Sequence, residues 1–228
     1  RHRMETLFAR SKLDQPALRR MTFDQFSPDG FDPRDEISGN VRRAFQFAQE
    51  YAEHPQGWFV LTGGNGCGKT HLAVAIANAC VARGMPVLFI VVPDLLDDLR
   101  AAYAPNSEVS YDETFEEVRS APLLILDDLG TQSNTAWADE KLFQILNHRY
   151  NAALPTVITT NRTMDELPVR IASRITDPAC SRVYRVLARD SRDGLVERPG
   201  QNPPLSLLPP PRRNNRFSGG TRPGGEQR

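Results

Sequence analysis

The chain has 228 residues and a mass of 25.5 kDa, with 39% hydrophobic and 25% charged residues, which excludes wholesale disorder, collagen-like and coiled-coil classes and leaves a globular protein. Its 28 basic residues balance 28 acidic ones, so no global field draws it to nucleic acid or to a membrane, and any DNA contact has to be a local patch. The longest uncharged apolar run, Met85 to Pro93, is nine residues against the roughly 20 that span a bilayer, and the three cysteines lack C-x-x-C spacing, which argues against a disulfide framework or zinc site and fits a reducing cytoplasm.

Residues 1–20 hold six Arg or Lys against two acids and a weak apolar pattern, so they read as a basic arm with a short helix. No apolar block follows Arg1-His2-Arg3-Met4, so no secretory signal is read there. Residues 21–198 form the expected catalytic domain. Within it, Trp58 to Thr62, Val87 to Val92, Pro122 to Asp127, Thr156 to Thr160 and Arg182 to Leu187 predict five strands, each apolar enough to be buried on both faces. Helical patterns lie between them. Thr70 to Ala82 is small or apolar nearly all round, and Leu142, Ile145 and Leu146 keep helical spacing until Pro155 ends the run. Strands alternating with helices predict an α/β fold with a parallel sheet covered on both faces. Residues 199–228 contain seven prolines, five glycines and five arginines against one glutamate, the composition of a disordered tail that is either a solvated end or a nucleic-acid or partner arm. His2, His54, His71 and His148 have no metal-ligand spacing.

The first strand runs into Gly63-Gly64-Asn65-Gly66-Cys67-Gly68-Lys69-Thr70, which satisfies G-x-x-x-x-G-K-[ST] with a strand before it and a helix after it. The glycines let backbone N–H groups wrap a β-phosphate, and Lys69 neutralises β/γ oxygens. The Thr70 hydroxyl is a ligand for Mg2+. Lys69 is also one of three lysines in a chain with 25 arginines. This P-loop predicts a bound nucleoside triphosphate, with the helix N-terminus facing the same anion.

The third strand ends in Leu126-Asp127-Asp128, where an open parallel sheet places its ligands. Asp127 is the candidate Mg2+ ligand and Asp128 the candidate group that polarises an attacking water. A polar strand end capping a turn is the bland alternative. The strand Val87 to Val92 separates the two motifs, as in the P-loop branch that favours water as nucleophile. Asn161, after Thr159-Thr160, is a candidate sensor of the lytic water or the γ-phosphate, or else a residue that starts a turn. Arg170 and Arg174 stand four apart on one helix face, which is either a surface charge face or a finger reaching a neighbouring subunit's ATP.

Taken together, Met21-Thr22-Phe23-Asp24-Gln25-Phe26, Gly68-Lys69-Thr70-His71-Leu72-Ala73, Leu126-Asp127-Asp128-Leu129-Gly130, Thr160-Asn161, Arg170 and Arg174 resemble the AAA+ ATPases of the helicase-loader branch, the DnaC-like and IstB-like ATP-binding proteins. The resemblance covers about residues 21–192. It implies an AAA+ type five-stranded sheet without a complete C-terminal lid domain, Phe26 and its neighbours near the adenine, His71 in the nucleotide-binding segment, Asn161 as sensor 1 and Arg174 as the finger. Arg192 resembles sensor 2, with the local spacing one residue short. The second acid departs from the AAA+ pattern, being Asp128 rather than Glu. The family further implies single-stranded DNA contacts between the second strand and Asp127, a segment in which Arg100 and Arg119 are offset by many acids.

The expected function is therefore an ATP- and Mg2+-dependent ATPase that oligomerises with copies of itself on single-stranded DNA and delivers a replicative helicase. The alternative is an ATP-gated helper of a transposase. A small-molecule kinase is disfavoured, because no Arg-rich lid lies between the two motifs.

Overall fold

The computed structural model describes residues 11, 13–28, 36–103, 110–133 and 135–187. In chain order these form α1 (Pro16–Arg19), a 3-10 turn (Phe23–Gln25), α2 (Glu36–Glu53), β1 (Trp58–Gly63), α3 (Lys69–Ala82), β2 (Val87–Val91), α4 (Val92–Ala101) and α5 (Tyr111–Ser120). They continue with β3 (Leu123–Leu129), α6 (Ala136–Asn151), β4 (Thr156–Thr160), a 3-10 turn (Met164–Glu166), α7 (Val169–Ile175) and β5 (Ser181–Val186). The helix starts follow local chemistry: Pro93 in the first turn of α4, and the Ser110 and Thr135 hydroxyls accepting from Glu113 N and Ala138 N ahead of α5 and α6.

The five strands form one sheet in the order β2-β3-β4-β1-β5, and every pairing is parallel. Successive side chains of a strand leave on opposite faces. Accordingly Val60, Leu88, Leu124, Leu126 and Ile158 join one core with α4 to α7, whereas Phe59, Leu61, Phe89, Ile125 and Val157 join another with α2 and α3. Two layers of helices thus cover the sheet, and each fully buried aliphatic side chain contributes about 1.5–3 kcal/mol of burial free energy. Arg149, buried at the end of α6, donates to Thr156 Oγ1 (2.9 Å), Arg119 O (3.1 Å), Ala121 O (2.8 Å) and Pro155 O (2.5 Å), tying α6 to the ends that lead into β3 and β4.

The expected strands and the α3 helix agree with the structure to within two residues, but burial on both faces fails for β5. Arg182, Val183 and Arg185 are exposed, because β5, unlike the other edge strand β2, packs only Tyr184 and Val186 into a core, the one shared with α2 and α3. Asn40 of α2 lines its outer side, donating from Nδ2 to Arg185 O (3.0 Å) and accepting from Leu187 N (2.9 Å). At the opposite edge, Ser11 Oγ accepts from Phe89 N of β2 at 3.0 Å, and nearby Leu13 is buried in the core. Ser11 and Leu13, which fall in the stretch read as an arm, therefore pack into the domain. Asn78 of α3 donates to Leu18 O and Met21 O, 3.0 Å each. The expected tail at 199–228, Arg192 and the lid expectation all fall outside the described residues. Among the described residues, no helix is long and apolar enough to cross a membrane.

Candidate nucleotide site

The turn between β1 and α3 needs glycine at two places. Gly63 has φ 145°, and a Cβ there would lie 2.4 Å from Val186 O. Gly68 has φ 95°, and its Cβ would lie 2.8 Å from the Phe26 ring. Gly66, also at positive φ, gives the bend between them. The loop delivers Lys69, only 5% exposed, to the start of α3, where its Nζ donates to Gly63 O (3.0 Å) and Gly64 O (2.7 Å) and lies 3.6 Å from Cys67 Sγ. A buried ammonium held over a turn of backbone N–H groups at a helix N-terminus is suited to a polyphosphate.

The carboxyl ends of β3 and β4 face this loop. Thr70 Oγ1 donates to Asp127, 3.0 Å from Oδ1 and 3.1 Å from Oδ2. From the other side Thr159 Oγ1 donates to Asp127 Oδ1 at 2.6 Å, while accepting from Asp128 N at 2.9 Å. Pairing of β3 with β4 slips between Leu126 and Leu129, so Asp127 and Asp128 together oppose Thr159. This bulge turns the two acids out of the ladder, and Asp128 takes a left-handed conformation with φ 58°. Asp127 is 3% exposed. Burial pushes its carboxyl up, with adjacent Asp128 adding to the rise, against the opposing influence of Thr159, Thr70 and Lys69. The hydroxyl and carboxylate oxygens of Thr70 and Asp127 are hard donors of the kind Mg2+ takes, so these residues fit that ion.

Asn161 follows β4, and its Nδ2 donates to Asn65 Oδ1 at 2.7 Å, which joins the sensor candidate to the glycine loop. A cleft of about 280 Å³ beside Thr70 and Asp127 is also lined by Asp94 and Asp98, a sign of charge that directs a polyphosphate to the glycine side instead.

Phe26 lies against Gly68, stacks on Phe45 (centroids 5.6 Å apart) and meets His71 edge-on at 5.2 Å. His71 Nε2 is 3.0 Å from Thr22 O, so the Thr-Phe-x-x-Phe stretch is fastened to the first turns of α3. Arg170 and Arg174 are brought to α6 rather than to the glycine loop.

Two features escaped the sequence. Thr159 links both acids, and its one signal was a buried polar residue in an apolar strand. The second is a cluster on α4 to α6: Tyr103, 53% exposed, stacks on Tyr111 at 4.3 Å, with Phe115 and Trp137 beside them. Arg100 lies over Trp137 (5.1 Å) and Lys141 over Tyr111 (5.3 Å), although Asp97 and Glu116 offset Arg100 and Arg119.

A family model described as IstB-like ATP binding protein matches residues 45–177, more than half of the chain and nearly the whole of this site. The chain belongs to this family. This IstB-like chain is also 29% identical over 178 residues to the replicative helicase loader DnaC of Escherichia coli (strain K12), a match covering 77% of the chain and 69% of the relative. Identity to the replicative helicase loader DnaI of Bacillus subtilis (strain 168) is 32% over 123 residues, 53% of the chain and 39% of the relative. Among solved structures, the DnaC helicase loader has a TM-score of 0.62 at 23% identity, covering 76% of this chain and 99% of that one. AMPPCP-bound DnaA from Aquifex aeolicus has a TM-score of 0.61 at 21% identity, covering 73% and 49%. At those identities the two structures bear on the fold alone. The chain is thus a DnaC-like and IstB-like AAA+ protein with a P-loop, from a family of ATP-binding proteins.

Proposed function

We propose that this chain hydrolyses ATP in order to load a replicative helicase, assembling with copies of itself on single-stranded DNA in the cytoplasm. The observation that carries the reading is the convergence of Lys69, Thr70, Asp127 and Asn161 on one glycine loop, in a chain whose relatives are named helicase loaders. Lys69 and the loop N–H groups hold the β- and γ-phosphates. Mg2+ at Thr70 and Asp127 would neutralise charge on those oxygens. Asp128, turned out of the strand, polarises the attacking water, and Asn161 hydrogen-bonds that water or the γ-phosphate. Arg174 of another copy stabilises charge in the transition state, a contribution of roughly 10³ to 10⁵ in rate. The aromatic and cationic cluster around Tyr103 supports a single-strand contact, because exposed rings stack on any base and nearby cations meet phosphate. Three free cysteines, Cys67, Cys80 and Cys180, agree with a reducing compartment.

Steady-state ATP hydrolysis across protein concentration, with and without single-stranded DNA and with Lys69→Ala as the blank, tests the reading. Turnover that rises with both supports an oligomerising, DNA-dependent loader. A low rate indifferent to both favours the second reading, an ATP-gated helper of a transposase, which the IstB-like family description supports.

A further inference from the structure

Glu140, Phe143, Asn147 and Tyr150 stand three, four and three residues apart along α6, so they share one face of the helix. That face receives both arginines of α7, and it treats them differently. Arg170 is ion-paired to Glu140 at 2.7 Å, with its guanidinium over Phe143 at 4.5 Å, so a carboxylate offsets its charge. Arg174 meets a neutral amide instead. Its Nε and Nη2 both donate to Asn147 Oδ1, at 3.3 and 3.2 Å, while its guanidinium lies 5.2 Å from the Tyr150 ring centre and 5.9 Å from that of Phe143. Nη1 donates to Ser173 Oγ at 3.2 Å. Tyr150 is itself held, its hydroxyl donating to Asp177 just beyond α7. One amide oxygen and two ring faces therefore hold the guanidinium with no carboxylate bonded to it directly, Asp177 acting on it only through space.

We propose that Asn147 is a positioning residue for Arg174, its amide oxygen aiming the guanidinium at the nucleotide of a second copy of this chain. The inference rests on the reading of Arg174 as a finger acting between copies, and it names what makes that finger effective. An unheld arginine spreads over many rotamers, and the entropy of ordering it would be charged against each catalytic event. An amide orders the side chain without competing for its charge, which a carboxylate at the same position would do.

The test mixes Asp128→Asn copies, whose own sites are inert and whose fingers are intact, with Arg174→Ala copies, whose own sites are intact and whose fingers are gone. Turnover in the mixture then comes from Arg174→Ala sites served by Asp128→Asn fingers. Asn147→Ala added to the finger-donating copy lowers kcat about tenfold or more with the KM for ATP unchanged, the size expected for losing an acceptor bonded to a charged group. The same change added to the finger-lacking copy, where there is no Arg174 to aim, serves as the fold control. Equal losses in the two arms, or none in the donating arm, would overturn the proposal. Asn147→Asp in the donating copy should also lower kcat, and full activity there would refute the requirement for a neutral group. A mixture no more active than the sum of its parts would instead remove the finger reading itself, a different result from either of the others.

Discussion

The Thr159 hydroxyl joins β4 to β3 by donating to Asp127 Oδ1 at 2.6 Å, and the same oxygen accepts from Asp128 N at 2.9 Å. One buried oxygen thus fixes the carboxylate beside Thr70 and the backbone of the acid that follows it. Thr159→Val keeps the shape and removes both bonds, leaving Asp128 N without this partner. The expected loss is about 1–3 kcal/mol in urea unfolding, and ATP turnover should fall by more than ATP affinity because Asp128 is released from its left-handed backbone. Unchanged unfolding and turnover would show that the relay is incidental.

Gly68→Ala places a side chain at φ 95° and against the Phe26 ring. Backbone strain of about 1–3 kcal/mol follows in a loop that has to wrap a phosphate. Titration with a fluorescent ADP analogue should show affinity falling about tenfold or more, since each 1.4 kcal/mol is a factor of ten. Phe26→Ala in the same chain removes the clash with the ring but not the positive φ, so thermal unfolding should show only part of the lost stability restored.

Asp127 carries a raised carboxyl, chiefly from burial. The sign follows from linkage: its folded-state pKa lies above the unfolded value, so the ionised form destabilises the fold, a penalty absent below the unfolded pKa and growing as pH rises through the folded one. Asp127→Asn removes the charge. In the nucleotide-free protein it should raise Tm near pH 7.5 by about 2–4 °C, which corresponds to roughly 1 kcal/mol at this size, and the difference should vanish near pH 4. A lower Tm at neutral pH would mean that its bonds to Thr70 and Thr159 outweigh the desolvation.

Arg149 satisfies three backbone carbonyls and the Thr156 hydroxyl from the interior. Arg149→Met fills much of the same space but strands those acceptors. Stability to urea should drop by about 3–5 kcal/mol, and hydrogen exchange should quicken where α6 meets β3 and β4.

Tyr103→Ala removes the most exposed ring of the α4 to α6 cluster. If bases stack there, affinity for a labelled single strand should weaken by about 1–3 kcal/mol with the basal ATPase rate retained. Equal affinity would move the strand elsewhere on the surface.

Much of this architecture was legible in the sequence because strands buried on both faces of a parallel sheet are continuous apolar runs, and Trp58 to Thr62 or Leu123 to Leu126 can be little else. That Lys69, Thr70 and Asp127 would meet at one loop was legible because a glycine loop after the first strand and acids at the end of the third lie at the same edge of a parallel sheet. The exposure of β5 was not, since a run such as Arg182 to Leu187 does not reveal that its strand will pack into one core only. The relay through Thr159 depends on a bulge that sets two residues against one across strands 31 positions apart. Similarly, Asn147 meets Arg174 because α6 and α7 pack together, and no local pattern records that contact.

Ser11 and Asn40 lie at opposite rims of the sheet, one occupying Phe89 N on β2 and the other Arg185 O and Leu187 N beside β5. A strand from another molecule that tried to continue the ladder at either rim would first have to evict a side chain already bonded there. Self-association by sheet extension is therefore obstructed at both ends. The proposed assembly of copies would then run through helices and loops, contacts that can be made and released without unzipping a backbone ladder.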